Sequence, residues 1–269
     1  MTLSLANRSL RNPKSALLLS GLLLISLVSA ITFAQDRPVE IHDRIAPTAT
    51  TTGGIFASDN RVALTLDACA GRFDGDLINF LIDKRIPATI FATKKWLDQN
   101  PRGLAILKRN LDLFEIEDHG EKHIPAVIGA GRKVYGIPGQ PDIVHLRREV
   151  QEGARAIEVA TGIAPHWYRE ATAEYDLQAS DEIARMHYKI AGFSVNADAG
   201  ATLPRSAIVG RLRQVKGGDV IIAHMNKPAG DTAEALALGL TELHQRGLIF
   251  VRLDQVELRE LTDAKAAPK

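Results

Sequence analysis

Arg61-Val-Ala-Leu-Thr-Leu-Asp-Ala-Cys-Ala-Gly71 opens as an apolar strand and breaks off on a carboxylate. Val62, Leu64 and Leu66 alternate with Ala63 and Thr65, the two-residue period of a strand. The apolar run stops at Asp67, with Gly71 just beyond. A carboxylate ending a buried strand has to be solvated, paired or used, because a lone buried charge costs several kcal/mol. In parallel α/β folds that end of a strand is also where chemistry collects. Alone, Asp67 reads equally well as the cap of a following helix. The downstream residues decide between the two.

Working outward, strand and helix patterns alternate. Residues 74–85 carry Leu77, Ile78, Leu81 and Ile82 at helical spacing, and 87–93 (PATIFAT) reads as a strand. A helix over 101–110 and a strand over 111–117 follow. Residues 129–141 are a Gly/Pro-rich loop, and 143–161 a long amphipathic helix. Then come a short strand (166–169), a helix (177–187), a strand (189–195) and a helix (206–215). The apolar strand 219–224 (DVIIAH), a helix (232–246) and a last strand (248–253) complete the series. Such alternation implies an α/β domain with a parallel sheet, and this many units in about 200 residues predicts a distorted or incomplete (β/α) barrel, TIM-like in plan.

The flanks read differently. Arg8, Arg11 and Lys14 precede an apolar run from Ala16 to Ile31, and small residues follow up to Ala34. This is the pattern of a signal peptide over 1–34, or of an uncleaved signal anchor. Either one exports the rest of the chain to the periplasm or the extracellular space. Residues 35–60, with Pro38, Pro47, the Thr-rich run 48–52 and Gly53-Gly54, read as a linker. The domain is then expected over 61–258, with a flexible tail at 259–269. A chain of 269 residues, 45% hydrophobic, holds one sizeable core. Its net charge of +1 gives no electrostatic case for nucleic acid, and no protein partner is evident. The single cysteine, Cys69, excludes an intramolecular disulfide framework.

The polar residues that end the strands form a series: Asp67, then Glu117-Asp118-His119, Arg169-Glu170, Asn196 with Asp198, and His224. If the strands are parallel, these ends share one rim. His119 and His123 are spaced i, i+4. On a helical turn both imidazoles would lie on one face and suit a bidentate metal grip; two polar loop histidines are the bland alternative. His224 ends a wholly apolar strand, and is either functional or a satisfied core histidine. Arg169 is a surface arginine or the partner of a strand-end carboxylate. Trp96 and Trp167 are candidates for stacking on sugar rings, or core residues.

In order and spacing the series resembles the polysaccharide deacetylase family, the NodB-homology or carbohydrate esterase family 4 domain. Leu64-Thr65-Leu66-Asp67 is similar to its first motif, Thr-Phe-Asp-Asp. Glu115-Ile-Glu-Asp-His119-Gly-Glu-Lys-His123-Ile-Pro125 resembles the second, His-Ser/Thr-x-x-His-Pro. Trp167-Tyr168-Arg169 resembles the third, Ser194-Val-Asn-Ala-Asp198 the fourth, and Val220-Ile-Ile-Ala-His224 the fifth. The resemblance covers residues 61–256. It implies metal-assisted hydrolysis of acetyl groups on an acetylated carbohydrate polymer. Asp67 would be the general base and His224 the general acid. Arg169 would orient Asp67, and Asp198 would orient and charge-tune His224. His119 and His123 would bind a divalent metal, zinc in this family.

Two departures stand out. The metal-binding second aspartate of the first motif is Ala68 here. The third ligand is then Asp67 doubling as base, or a substitute, Asp118 or Cys69; a lone cysteine beside a buried strand also reads as a small hydrophobe. The third motif continues as Arg169-Glu170-Ala-Thr-Ala173, without the family's proline–aromatic pair. Glu170 would raise the pKa of Asp67, ligate the metal, or face solvent. The expected activity is N-deacetylation of peptidoglycan or another N-acetylglucosamine polymer. The rivals are a carbohydrate-binding member without activity and an O-acetyl esterase.

Overall fold

In the computed structural model, which describes residues 38–46 and 60–260, Arg61–Ala68 is a strand with all but its first side chain buried. In chain order the elements are β1 (Val39–Glu40), β2 (Asp43–Ile45), β3 (Arg61–Ala68), α1 (Gly75–Asp83), β4 (Ala88–Ala92), α2 (Lys94–Gln99), α3 (Pro101–Lys108) and β5 (Phe114–Asp118). Next come β6 (Lys133–Val134), β7 (Ile137–Pro138), α4 (Ile143–Thr161), β8 (Trp167–Tyr168), β9 (Glu174–Tyr175), α5 (Leu177–Arg185) and β10 (Lys189–Ile190). The last are β11 (Val195–Asn196), α6 (Arg205–Leu212), β12 (Val220–His224), α7 (Thr232–Gln245), β13 (Ile249–Val251) and β14 (Leu258–Glu260).

β3 is the hub. The main sheet runs β10-β8-β5-β4-β3-β12-β11, with β13 against the first residues of β3, and every ladder in it is parallel. A parallel strand covered on both faces must be apolar on both, which is why β3, β4 and β12 read as near-continuous hydrophobic runs. Leu64, Leu66, Ile90, Ile221 and Ala223 pack with α1, α6 and α7 through Leu77, Leu81, Leu212, Leu236 and Leu240. The helix after β3 is capped by Asp74, whose side chain accepts from Leu77 N at 3.1 Å. Asp67 is therefore not a helix cap. Asp142 caps α4 in the same way, and Gly162 ends it in the left-handed region at φ 78°.

The sheet is a distorted (β/α) barrel, as the alternation predicts. The expected strand 189–195 is in fact two pieces, β10 and β11, and among the described residues no ladder joins them. The break is covered by residues expected to be linker. Phe193 N donates to Ile41 O, Asp43 N to Phe193 O, and Gly192 N to the Asp43 carboxylate at 2.8 Å. A Cβ on Gly192 would lie 2.3 Å from Ile41 O, so only glycine lets this strap approach. β2 pairs antiparallel with β14, so Arg259 and Glu260, expected to open the flexible tail, are strand. The folded unit thus begins earlier than its apolar periodicity indicates, because these segments are too short to carry a period. The expected signal or anchor segment lies outside the described residues, among which no helix is long and apolar enough to cross a membrane.

Of the two readings for Trp96 and Trp167, the core one holds: both are buried and offer no face to a sugar. α2, not foreseen, is a six-residue helix capped by Thr93 at the end of β4.

One buried pair makes stability depend on pH. Glu117 Oε2 accepts from the backbone of His166 and Trp167 at 2.8 and 2.7 Å, and the side chain also meets Glu115. Burial, with the neighbouring Glu115, pushes Glu117 far above the usual carboxylate range. The folded state then holds a proton at neutral pH that the unfolded chain releases. This contribution to stability is full below the unfolded pKa of about 4.3 and declines as pH rises above it. Glu117→Gln keeps one acceptor and one donor without the ionisation. Its melting temperature is expected to match the parent at pH 4, below the unfolded pKa, and to exceed it at pH 8 by at least ~2–4 °C, the shift that ~1 kcal/mol gives in a domain of this size. Parallel melting curves at the two pH values check this.

Candidate active site

Parallel ladders bring the carboxyl ends of the strands to one rim. In register, Asp67 lies opposite His224 on β12 and Phe91 on β4, and Asp118 lies opposite Ala92 and Tyr168. Residues far apart in sequence therefore converge on a cavity of about 650 Å³ lined by Asp67, Cys69, His123, His224 and Asn226 among others.

Asp67 is held by Arg169, which is fully buried. Arg169 Nη1 donates to Asp67 Oδ1 at 3.0 Å and to Thr65 Oγ1 at 2.7 Å; Nη2 reaches Gly192 O at 3.1 Å and Nε reaches Ala191 O at 3.2 Å. The guanidinium also stacks 4.3 Å from the centroid of the Phe91 ring. A buried guanidinium with this many acceptors is a fixed part of the core. Burial would raise the Asp67 carboxyl; Arg169, with His119 and His224, outweighs it and holds the carboxyl below its usual range. Asp67 is therefore ionised at neutral pH, with Oδ2 clear of Arg169 and 3.8 Å from His119 Nε2.

His119 and His123 do come together, with ring centroids 4.9 Å apart, but not on a helical turn. The segment after β5 is a non-helical loop in which His123 takes φ 70°, left-handed for a non-glycine residue. Glu149 of α4 maintains that conformation. Its Oε1 accepts from the backbone N–H groups of Lys122, His123 and Ile124 at 2.8, 2.8 and 3.2 Å. The sequence reading missed Glu149. The clue was an acid on the apolar face of α4, between Leu146 and Val150.

Cys69 joins the two histidines. Its Sγ lies 3.4 Å from His119 Nε2, and ligand atoms of Cys69, His119 and His123 all lie within 4.8 Å of one another. His119 Nδ1 meets Arg169 O at 2.7 Å; a carbonyl only accepts, so Nδ1 carries the hydrogen and Nε2 is free to ligate. His123 Nε2, shut off from solvent, has no hydrogen-bond partner among the described residues, a deficit that a bound ion would repair. Burial opposes charge on His119, yet Asp67 and Cys69 push its pKa up to about 9. Burial would also raise the Cys69 thiol, but the charge and hydrogen bond of His119, with His123 and His224 close by, draw it well below its usual value. Surroundings that retain a proton this firmly suit a cation, and one thiolate with two imidazoles is a donor set for a divalent metal. The residues present fit the group.

Other expected substitutes do not reach the cluster. Ala68 packs in the core. Asp118 turns toward α4: its Oδ1 accepts from Gly120 N at 2.8 Å and lies 2.2 Å from where a Cβ on Gly153 would stand. Glu170 follows none of its three expected readings. It is wholly buried, and its carboxylate accepts from Ala126 N, from Thr172 N and Oγ1, and from Glu174 N, tying together the loop beyond β8. Burial pushes it up to about 7.

The second pair stands at the end of β12, next to Asp67 in register. His224 Nδ1 lies 2.8 Å from Asp198 Oδ1; Asp198 Oδ2 accepts from His224 N at 2.9 Å and from Thr232 Oγ1 at 3.0 Å. Burial opposes charge on the imidazole; Asp198, with Cys69 beside it, outweighs burial and holds His224 well above its usual pKa. The two carboxylate-linked pairs and the Cys/His/His cluster face one cavity. This arrangement can deprotonate a water, hold a developing oxyanion and protonate a leaving group.

Known proteins were compared with the chain in three ways. A search of curated sequences returned no match. Among solved structures, a carbohydrate esterase family 4 pseudoenzyme from Bacillus anthracis aligns at 18% identity, over 79% of this chain and 67% of that one, with a TM-score of 0.61. A peptidoglycan N-acetylglucosamine deacetylase aligns at 19% identity over 73% and 87%, with a TM-score of 0.61. A family 4 carbohydrate esterase of Bacillus subtilis aligns at 19% over 74% and 80%, with a TM-score of 0.59. At these identities the likeness is one of fold. The sequence model for polysaccharide deacetylases matches residues 56–191, and by that match the chain belongs to the polysaccharide deacetylase family.

Proposed function

We propose that this protein is an exported hydrolase that removes N-acetyl groups from a carbohydrate polymer of the N-acetylglucosamine type, such as peptidoglycan, using a bound zinc ion. The observation that carries the reading is the pairing of Asp67 with Arg169 and of His224 with Asp198 at one cavity lined by Asp67, His224, Cys69 and His123, with His119 beside Cys69. Binding alone needs no acid–base pair, so their retention favours an enzyme over a protein that only binds sugar. The export pattern over 1–34 would deliver the enzyme to cell-wall or extracellular polymers. One structural neighbour acts on peptidoglycan N-acetylglucosamine.

The chemistry follows from the geometry. Asp67 Oδ2, the oxygen that Arg169 leaves free, takes a proton from the attacking water. Arg169 keeps that carboxylate ionised and its plane fixed. When bound, the metal supplies Lewis-acid stabilisation of the oxyanion. With Nδ1 held by Asp198, His224 offers its Nε2 proton to the departing amine nitrogen. Asp198 stabilises the imidazolium before transfer and fixes the ring after it.

Acetate release from a peptidoglycan or N-acetylglucosamine oligomer tests the reading. Chelation is expected to remove more than ~99% of turnover, since electrostatic stabilisation of the oxyanion commonly contributes about 10²–10³-fold, and zinc is expected to restore it. Binding of sugar without acetate release would mark a binding protein. Faster release from acetylated xylan than from the N-acetylglucosamine oligomer would mark an O-acetyl esterase.

A further inference from the structure

We propose that Cys69 is the third protein ligand of the metal centre, as a thiolate, and that Asp67 stays off the metal as a dedicated base. The inference rests on the metal-dependent reading above and names the donor that Ala68 removes from the usual place.

Strand alternation begins the case. Side chains at 67 and 69 point to the cavity and line it, whereas Ala68 points into the core. A carboxylate is thus absent at 68, and a sulfur stands at the next residue. The backbone there is pinned, because Thr93 Oγ1 donates to Cys69 O at 2.5 Å and Thr93 N to Ala68 O at 3.3 Å. Cys69 cannot easily swing away from the histidines.

Distances carry the argument further. Zinc–sulfur and zinc–imidazole bonds of about 2.3 and 2.0–2.1 Å in a tetrahedron set S and N ~3.5 Å apart. The observed Sγ to Nε2 separation of Cys69 and His119 is 3.4 Å. His119 Nδ1 is taken up by Arg169 O, so Nε2 is the ring nitrogen that faces Cys69. His123 brings a buried nitrogen with no other partner among the described residues.

Asp67 is placed differently. One oxygen is bound to Arg169, and that guanidinium is locked by Thr65, Ala191 and Gly192. The mutual 4.8 Å grouping contains Cys69 and both histidines but not Asp67. Drawing Asp67 onto a metal would strain its bond to a buried, immobile cation. A thiolate ligand relieves Asp67 of that double duty. It also makes the site soft, so zinc, cobalt and cadmium should bind well ahead of magnesium, calcium and manganese.

The test reads the metal centre directly. Full-length protein is loaded with cobalt(II) and its optical spectrum recorded beside Cys69→Ser and Cys69→Asp. The expected result is an intense near-ultraviolet thiolate-to-cobalt band in the parent, absent in both variants. Cys69→Ser should weaken zinc binding by ~100-fold or more, at least what losing an outer partner costs, and Cys69→Asp should recover most of that affinity without the band. Zinc should also slow alkylation of Cys69 by iodoacetamide at least ~10-fold. A parent without the band, unchanged affinity in Cys69→Ser, or alkylation indifferent to zinc would overturn the proposal. A band with no acetate release would uphold Cys69 while removing the deacetylase reading. Metal-dependent acetate release without the band would do the reverse.

Discussion

Asp67→Asn is expected to lower kcat by ~10³–10⁴-fold, the full share of a positioned general base. Asparagine keeps the shape and can still accept from Arg169, but it takes no proton from water. The loss should fall on kcat, with KM little changed, because a residue acting in the transition state does not set ground-state binding. The substitution also removes the negative charge beside a buried guanidinium. Arg169 retains Thr65, Ala191, Gly192 and the Phe91 ring, so the fold should survive with a lower melting temperature. Melting curves recorded beside the kinetics separate the two effects. A folded Asp67→Asn protein with normal turnover would remove Asp67 from the base role.

His224→Ala is the second large effect, a fall of ~10²–10⁴-fold in turnover on an N-acetyl substrate. An amine leaves poorly unless it is protonated as it departs. An ester oxygen needs that help less, so the same variant should lose less on an activated acetate ester. Equal losses on both substrates would show that His224 does something other than protonate a nitrogen. Asp198 gives the sign of the pH effect. Its carboxylate outweighs burial and raises the imidazole pKa, so the acid form persists to higher pH with it than without. Asp198→Asn should therefore shift the alkaline limb of the kcat profile downward. A limb that stays in place would mean another group sets it.

Much of this was legible in the chain. Apolar runs at 62–66, 88–92 and 220–223 are buried parallel strands, and the helical period over 143–161 is α4 to the residue. These elements are long enough for hydrophobic period to carry information. Asp67 and His224 end such runs, where an unpaired polar group is costly; Arg169 and Asp198 follow strands of only two residues and stood out through the motifs they resemble. The strap at 41–45 and the split of β10 from β11 were not legible. They consist of two- or three-residue segments held by backbone hydrogen bonds to distant loops, and those bonds leave no pattern in side-chain type.

The division follows the range of the forces involved. Local sequence determined the element order, the parallel barrel and the residues at its rim, because period and apolar run length are set by neighbours a few positions apart. What those rim residues meet depends on contacts between distant parts of the chain. Arg169 closes on Asp67 across 102 positions, and Glu149 reaches back 26 positions to hold His123 left-handed. Cys69, which by composition alone reads as a small hydrophobe, turns out to stand beside His119, 50 positions away. Which polar atoms share a cavity depends on strand register and on loops folded over it. No single stretch of sequence encodes that pairing, because its energy arises only when burial removes water from both partners at once.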